Sequence, residues 1–219
     1  MMTKMQRANK RFFDIVVSAL GLVVFSPLMA IIAVSIWVSS GRPLFFSQLR
    51  VGRNGRLFKC HKFRTMHQGA QKQGTVTSSS DNRFTAEGKF LRKFKLDELP
   101  QLWNVLTGKM SFVGPRPDVS GYADALEGEQ RKILTLRPGI TGPASIYFRH
   151  EEHILSQTQE PLKTNDTLIW PIKVRINCKY IDQWSYSKDI GYILITVFPF
   201  LNRWFRLIQP SPLNLEEVE

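Results

Sequence analysis

The sequence has few residues of the kinds that hold metal ions or disulfides. Only two of its 219 residues are cysteines, Cys60 and Cys178, and neither belongs to a Cys-x-x-Cys or Cys/His pattern. They are therefore predicted to be free thiols in a reducing compartment. The four histidines lack a consistent metal-ligand spacing. Glycine-rich dinucleotide, Walker and Gly-x-Ser-x-Gly motifs are also missing, so the common nucleotide-binding and serine-hydrolase patterns give no assignment.

Acidic residues are also scarce. Eighteen Asp and Glu stand against 30 Lys and Arg, which gives a formal net charge of +12. Such an excess favours anionic partners: nucleic acid, phosphorylated substrates or lipid headgroups. The length suits one domain, or one domain with an anchor.

An uncharged segment runs from Ile15 to Val38. As a helix it would be about 36 Å long, enough to cross a hydrocarbon core. It is too long for a signal peptide and no small-residue cleavage site follows it. Ser26-Pro27 near its middle predicts a kink or a break, because proline removes a backbone donor. Since both flanks are basic, a re-entrant helix is favoured over a kinked spanning helix.

Several elements are predicted beyond this segment. Asn54-Gly55 is typical of a tight hairpin turn between two short strands, and 68–82 is polar enough for a loop. Helices are predicted over 89–106 (in two pieces), 121–135 and 173–187, with an interfacial helix over 190–207 that is interrupted by Pro199.

Two groups of residues could carry chemistry. Arginines bind phosphate oxygens bidentately, and several basic residues lie beside stiff turns: Lys59, Lys62, Arg64, Arg92, Arg116 and Arg137. Each alone could be a solvated surface cation, but Arg116 stands between two prolines, which favours a functional role. The adjacent Asp97-Glu98 pair could supply a nucleophile, hold Mg²⁺ or cap a helix.

Several motifs together, in the same order along the chain, resemble the bacterial sugar transferase family, the monotopic phosphoglycosyl transferases. The resemblance runs from about Lys10 to about Thr196 and is closest to the small members, without additional spanning helices. Its motifs are Lys10-Arg11-x-x-Asp14, Ser26-Pro27, Gln48-x-Arg50-x-Gly52-x-x-Gly55, Lys62-Phe63-Arg64-Thr65-Met66, the segment from Leu96 to Val105, the segment from Met110 to Pro117, and the segment from Arg137 to Gly142.

The resemblance implies transfer of a sugar-1-phosphate from a UDP-sugar to a polyprenyl phosphate such as undecaprenyl phosphate, with release of UMP. This would be the first membrane step of polysaccharide or glycoconjugate synthesis. Asp97 would be the nucleophile of a covalent phosphosugar intermediate and a ligand of the Mg²⁺ cofactor, with Glu98 as its partner. Phosphate or substrate binding is expected of Lys62, Arg64, Thr65, Arg92, Arg116 and Arg137.

The same resemblance implies an organisation and a location. We expect a mostly helical α/β fold in which residues 1–40 form a membrane-dipping helix broken at Ser26-Pro27, residues 41–208 a catalytic domain with a small β-hairpin and interfacial helices, and residues 209–219 a polar tail. The enzyme would lie on the bacterial inner membrane and face the cytoplasm. The partners expected are donor, acceptor and membrane but not nucleic acid, and self-association is left open.

One departure and one alternative accompany this prediction. Asn177 occupies a position that is often Asp in the family, so the role of that carboxylate is in doubt here. The alternative is a non-catalytic, polybasic membrane protein that binds lipids or a partner. That alternative leaves Asp97-Glu98 and the rigidly held Arg116 without a purpose.

Overall fold

The fold is a mostly helical α/β arrangement with a long apolar N-terminal helix and small β-sheets, as the sequence predicted at that level. The computed structural model describes residues 2–70, 82–205 and 207. Most of the polar segment predicted as a loop over 68–82 lies outside these residues. The whole of the predicted tail at 209–219 lies outside them too.

Helix α1 spans Lys4–Ser40. It begins with a capping box in which Gln6 N donates to Thr3 Oγ1 at 3.2 Å and Thr3 N donates to Gln6 Oε1 at 2.8 Å. It ends at Gly41, whose φ of 72° an L side chain would rarely adopt. In the described part of the chain, α1 is the helix that is long and apolar enough to cross a membrane.

Helix α1 continues through Ser26-Pro27. One helical segment covers both residues, and Ser26 Oγ donates to Val23 O at 2.8 Å, one turn earlier. This hydrogen bond satisfies a carbonyl next to the site where proline removes a donor. The break predicted here is therefore not confirmed.

A β-hairpin follows α1. Strands β1 (Phe45–Val51) and β2 (Leu57–Phe63) pair antiparallel, with Phe45 opposite Phe63 and Val51 opposite Leu57. The turn has Asn54 at φ 59° and Gly55 at φ 76°. Two consecutive left-handed residues are what an Asn-Gly turn needs to match the twist of the strands, so this prediction is confirmed.

The predicted two-piece helix is also present. Helix α2 spans Ala86–Lys93, a 3₁₀ turn covers Leu96–Glu98, and α3 spans Gln101–Leu106. Strand β3 (Ser111–Val113) then pairs in parallel with β4 (Gly139–Thr141).

The C-terminal part is helical. Its helices are α4 (Pro143–Tyr147), α5 (Glu151–Ser156), α6 (Pro161–Thr164), α7 (Trp170–Asp182), α8 (Tyr186–Val197) and α9 (Asn202–Phe205), with a π-helical turn at Asn165–Ile169 and a 3₁₀ turn at Pro199–Leu201.

Two predicted helices differ from the structure. The α-helix predicted over 121–135 is wrong: two 3₁₀ segments, Ala123–Ala125 and Gly128–Thr135, lie there. Gly128 has a φ of 54°, which an α-helix cannot accommodate. The helix predicted over 173–187 ends early, at Asp182. Ser185 then accepts a hydrogen bond from Lys188 N and caps α8.

Helix α1 contacts the rest of the protein near both of its ends. Close to the N-terminus, Arg11 donates to Val105 O at 2.6 Å and to Leu106 O at 2.7 Å. Towards the C-terminus, Ile32 and Ile36 pack with Phe63 in a buried cluster. One long face of α1 therefore lies against the domain, while its other face remains apolar and exposed.

Buried polar contacts also join α1 to the domain. Asp14 accepts hydrogen bonds from Ser111 Oγ and Phe112 N, both at 3.1 Å. Lys10 Nζ lies 2.5 Å from Asp189 Oδ2 on α8. Asp14 therefore fixes α1 against β3.

Candidate active site

The acidic pair lies on the 3₁₀ turn between α2 and α3. Asp97 is 3% exposed and Glu98 is 8% exposed. The turn begins at Lys95, which has φ 58° and ψ 19°, the left-handed region. The turn places both carboxylates within 4 Å of Lys62 on strand β2.

Two cations hold Glu98. Lys62 Nζ lies 2.7 Å from Glu98 Oε1, and an Arg116 terminal nitrogen donates to the same oxygen at 3.0 Å. Lys62 comes from β2, and Arg116 follows β3 between two prolines. Burial alone would raise the pKa of Glu98, but Lys62, Arg116 and Lys95 hold it well below its usual range. Glu98 is therefore a fixed negative charge that orients two basic side chains.

Asp97 is held differently. Its Oδ2 is 3.9 Å from Lys62 Nζ, and its Oδ1 is buried with no hydrogen-bond partner among the residues that the structure describes. Burial raises the pKa of Asp97 above 3.8; Lys62 opposes this shift and Glu98 adds to it. A buried carboxylate oxygen without a donor is costly unless a ligand completes it. Its lone pairs are available to an electrophile or to a cation.

The donor set suits a magnesium ion only if a substrate supplies further oxygens. No group of three or more His, Cys, Asp or Glu side chains that could hold a metal occurs among residues 2–70, 82–205 and 207. Mg²⁺ commonly uses one or two carboxylates, water and substrate phosphates. The free Oδ1 of Asp97 matches one such position.

Two further charged residues, Arg50 and Asp118, lie near the acidic pair, and neither was predicted as a site residue. Arg50 donates to Pro117 O at 3.2 Å and to Gln48 Oε1 at 2.6 Å, and burial together with Arg116 lowers its pKa. Burial raises the pKa of Asp118 to about 6, although the nearby Lys173 and Arg50 oppose this. Strand alternation could have indicated Arg50, because β1 and β2 place it on the same face as Lys62.

Two of the predicted phosphate-binding residues, Arg64 and Thr65, have structural contacts. Arg64 donates to the carbonyls of Ser40 and Gly41 at 2.8 and 2.9 Å, at the end of α1. Thr65 is buried, and its carbonyl accepts a hydrogen bond from Thr85 N at 3.0 Å. These contacts give the Lys-Phe-Arg-Thr-Met segment a structural role at the end of α1 and beside Thr85. Its role in phosphate binding stays a prediction.

Arg92 and Arg137 lie in different surroundings. Arg92 forms an ion pair with Glu152, stacks 4.5 Å from the centre of the Phe84 ring, and is close enough to Asp97 to lower its pKa. Arg137 Nε donates to Gly108 O at 2.9 Å, and its charged neighbours are Arg11, Arg53 and Asp14. The structure therefore brings Lys62, Arg92 and Arg116 to the acidic pair and places Arg137 elsewhere.

Asn177, the departure from the family pattern, lies on α7. It is 5% exposed, and its Oδ1 is buried with no hydrogen-bond partner.

Comparison with known proteins identifies the class. Residues 5–203 match the sequence profile of the family described as bacterial sugar transferase. The chain is 31% identical over 205 residues to the exopolysaccharide production protein ExoY of Sinorhizobium fredii, covering 86% of this chain and 84% of that protein. The chain therefore belongs to the bacterial sugar transferase family.

Two larger relatives match over less of their length. The UDP-glucose:undecaprenyl-phosphate glucose-1-phosphate transferase of Escherichia coli is 38% identical, over 90% of this chain and 41% of the relative. An N-acetylgalactosaminephosphotransferase of Aeromonas hydrophila, acting on undecaprenyl phosphate, is 41% identical over 86% of this chain and 42% of the relative. The chain thus spans about two fifths of these two relatives.

Proposed function

We propose that this protein transfers a sugar-1-phosphate from a UDP-sugar to undecaprenyl phosphate and releases UMP. The reaction would occur at the cytoplasmic leaflet of the bacterial inner membrane, at the start of polysaccharide or glycoconjugate synthesis. Family membership and the activities for which the two larger relatives are named support the reaction class. The observation that carries the mechanism is the buried, unpartnered Oδ1 of Asp97 beside cations held by Glu98.

The chemistry proceeds in two displacements. In the first, a carboxylate oxygen of Asp97 attacks the sugar-bearing phosphorus of the donor. The bond from that phosphorus to the bridging oxygen breaks, and UMP leaves with the bonding electrons. In the second, an oxygen of the lipid phosphate attacks the same phosphorus and releases the Asp97 carboxylate. Covalent catalysis thereby divides one difficult transfer into two easier ones.

Lys62 and Arg116 neutralise charge during both displacements. Both are oriented by Glu98, so their positive ends are fixed before the substrate arrives. Preorganised cations in a partly dry site stabilise developing negative charge better than mobile ones. A bound Mg²⁺, held by Asp97 and the donor phosphates, would supply further neutralisation of the diphosphate.

The packing of α1 supports association with one leaflet. From Arg11 to Ile36 the helix rises about 38 Å, yet both residues contact the domain. A helix that spanned the bilayer in this arrangement would carry polar parts of the domain into hydrocarbon, which is costly. The exposed face, with Val23 at 72% and Val24 at 68%, is suited to lipid. We also propose that this helix is re-entrant, entering and leaving the membrane on the same side.

The experiment is intact-protein mass spectrometry in detergent with Mg²⁺ and no lipid acceptor. UDP-glucose, UDP-galactose and UDP-N-acetylgalactosamine are supplied one at a time. We expect a mass gain of one phosphosugar with the preferred donor, and its loss in Asp97→Asn. Asp182→Asn serves as the matched control, because Asp182 is exposed and pairs with Lys132.

Each result has a definite meaning. An adduct that persists in Asp97→Asn would refute Asp97 as the nucleophile. If the folded parent protein forms no adduct and releases no UMP when undecaprenyl phosphate is added, the proposed transferase activity is refuted. That outcome would favour the alternative of a lipid- or partner-binding protein.

A further inference from the structure

Lys95 combines an unusual backbone with an unpaired charge. Its φ of 58° and ψ of 19° lie in the left-handed region, which is unfavourable for lysine and costs glycine almost nothing. Glycine or asparagine would suit this turn better. Strained residues persist where the structure or the function requires their side chain.

The side chain lacks an ion-pair partner. Lys62 and Arg116 each contact Glu98, whereas no carboxylate among the described residues lies within 4.0 Å of the Lys95 ammonium. The residue as a whole is exposed, although protein surrounds its ammonium. Lys95 thus acts on the Glu98 carboxylate from a distance, and no described carboxylate forms an ion pair with it.

The charges around Lys95 are those of the active site. Surrounding protein lowers the pKa of its ammonium; Glu98 and Asp97 act in the opposite direction, and Arg116 and Lys62 add to the lowering. Lys95 also begins the same turn as Asp97, since Glu98 N donates to Lys95 O at 3.2 Å. The turn therefore holds a positive charge, with no ion pair to a described carboxylate, two residues from the proposed nucleophile.

We infer that Lys95 is a substrate-binding residue whose ammonium contacts the diphosphate of the sugar nucleotide as it lies over Asp97. Lys62, Arg116 and Lys95 surround the single charge of Glu98, and a diphosphate would supply further negative charge to balance them. This inference rests on the proposed function. It adds a third basic contact to Lys62 and Arg116, and it explains why a lysine occupies a left-handed position.

The test separates the charge from the backbone. Lys95→Gly and Lys95→Asn remove the ammonium and relieve the left-handed strain. Lys95→Arg keeps a cation, and Lys93→Asn is the matched control from the exposed end of α2. The measurements are the melting temperature in detergent, KM and kcat for the UDP-sugar, and the Kd of the same UDP-sugar for an Asp97→Asn protein with and without Lys95→Asn.

We expect Lys95→Asn and Lys95→Gly to melt at or above the parent temperature while KM and Kd rise about tenfold, as for the loss of a charged hydrogen bond. Lys95→Arg should remain within about threefold of the parent, since it keeps the charge. A structural role would instead lower the melting temperature. That result, or an unchanged KM and Kd, would overturn the inference. Failure of the parent to bind or turn over any UDP-sugar would instead count against the proposed function.

Discussion

The buried ion pair between Lys10 and Asp189 offers a quantitative test of how α1 is attached. The two side chains are 11% and 6% exposed, and Asp189 also accepts hydrogen bonds from Tyr180 at 2.6 Å and Trp184 at 3.1 Å. Lys10→Met leaves this carboxylate buried without its cation. Breaking such a pair costs about 3–5 kcal/mol, and the two remaining donors favour the lower end, about 3 kcal/mol.

In a chain of this length that loss lowers the melting temperature by about 6–12 °C. The assay is thermal unfolding of purified protein in detergent, with Lys163→Met as the control, since Lys163 pairs with Glu160 on the surface. The double variant Lys10→Met/Asp189→Asn should recover part of the loss, because it removes the uncompensated charge. If Lys10→Met melts at the same temperature as Lys163→Met, the ion pair does not anchor α1.

Three further predictions follow from named contacts. Adduct formation should slow as the pH falls, and at a higher pH than for an ordinary aspartate, because burial raises the pKa of Asp97 and a protonated carboxyl cannot attack; a rate that falls only at the pH expected of an unperturbed aspartate would contradict this. Arg64→Ala should reduce stability by about 2 kcal/mol in thermal unfolding, because it removes the hydrogen bonds to the Ser40 and Gly41 carbonyls at the end of α1; stability equal to that of the parent would mean that these bonds do not hold the helix end. Gly88→Ala should cost about 1–3 kcal/mol in the same assay, because the added carbon would lie 2.0 Å from Thr65 O; normal stability would mean that α2 can shift.

Local sequence signals predicted local structure well. Asn54-Gly55 determined the hairpin turn because few other dipeptides accept two left-handed residues. The α-helix predicted over 121–135 was wrong because Gly128 adopts a positive φ, which interrupts an α-helix. Hydrophobic periodicity does not reveal such a backbone angle. The predicted break at Ser26-Pro27 is not confirmed because a serine hydroxyl compensates locally for the proline.

In the candidate site, too, local features could be predicted from the sequence and contacts between distant residues could not. The acidic pair and Arg116 could be found from the chain because a carboxylate pair in a basic sequence and an arginine between prolines are local features. Which basic residue meets which carboxylate could not be predicted. Lys62 and Glu98 come together only when β2 lies over the turn, and Arg137, from an equally stiff turn, lies instead beside Gly108.

The sequence by itself determined that an apolar helix joins a basic domain with two adjacent carboxylates, because hydrophobic runs, charge and turn residues act over short range. Only the tertiary structure decided that Glu98 is the paired carboxylate and Asp97 the one with a free oxygen. It also decided that α1 lies along the domain at both ends. Burial, ion pairing and the resulting pKa shifts depend on distances between residues far apart in the chain, and those distances exist only after folding.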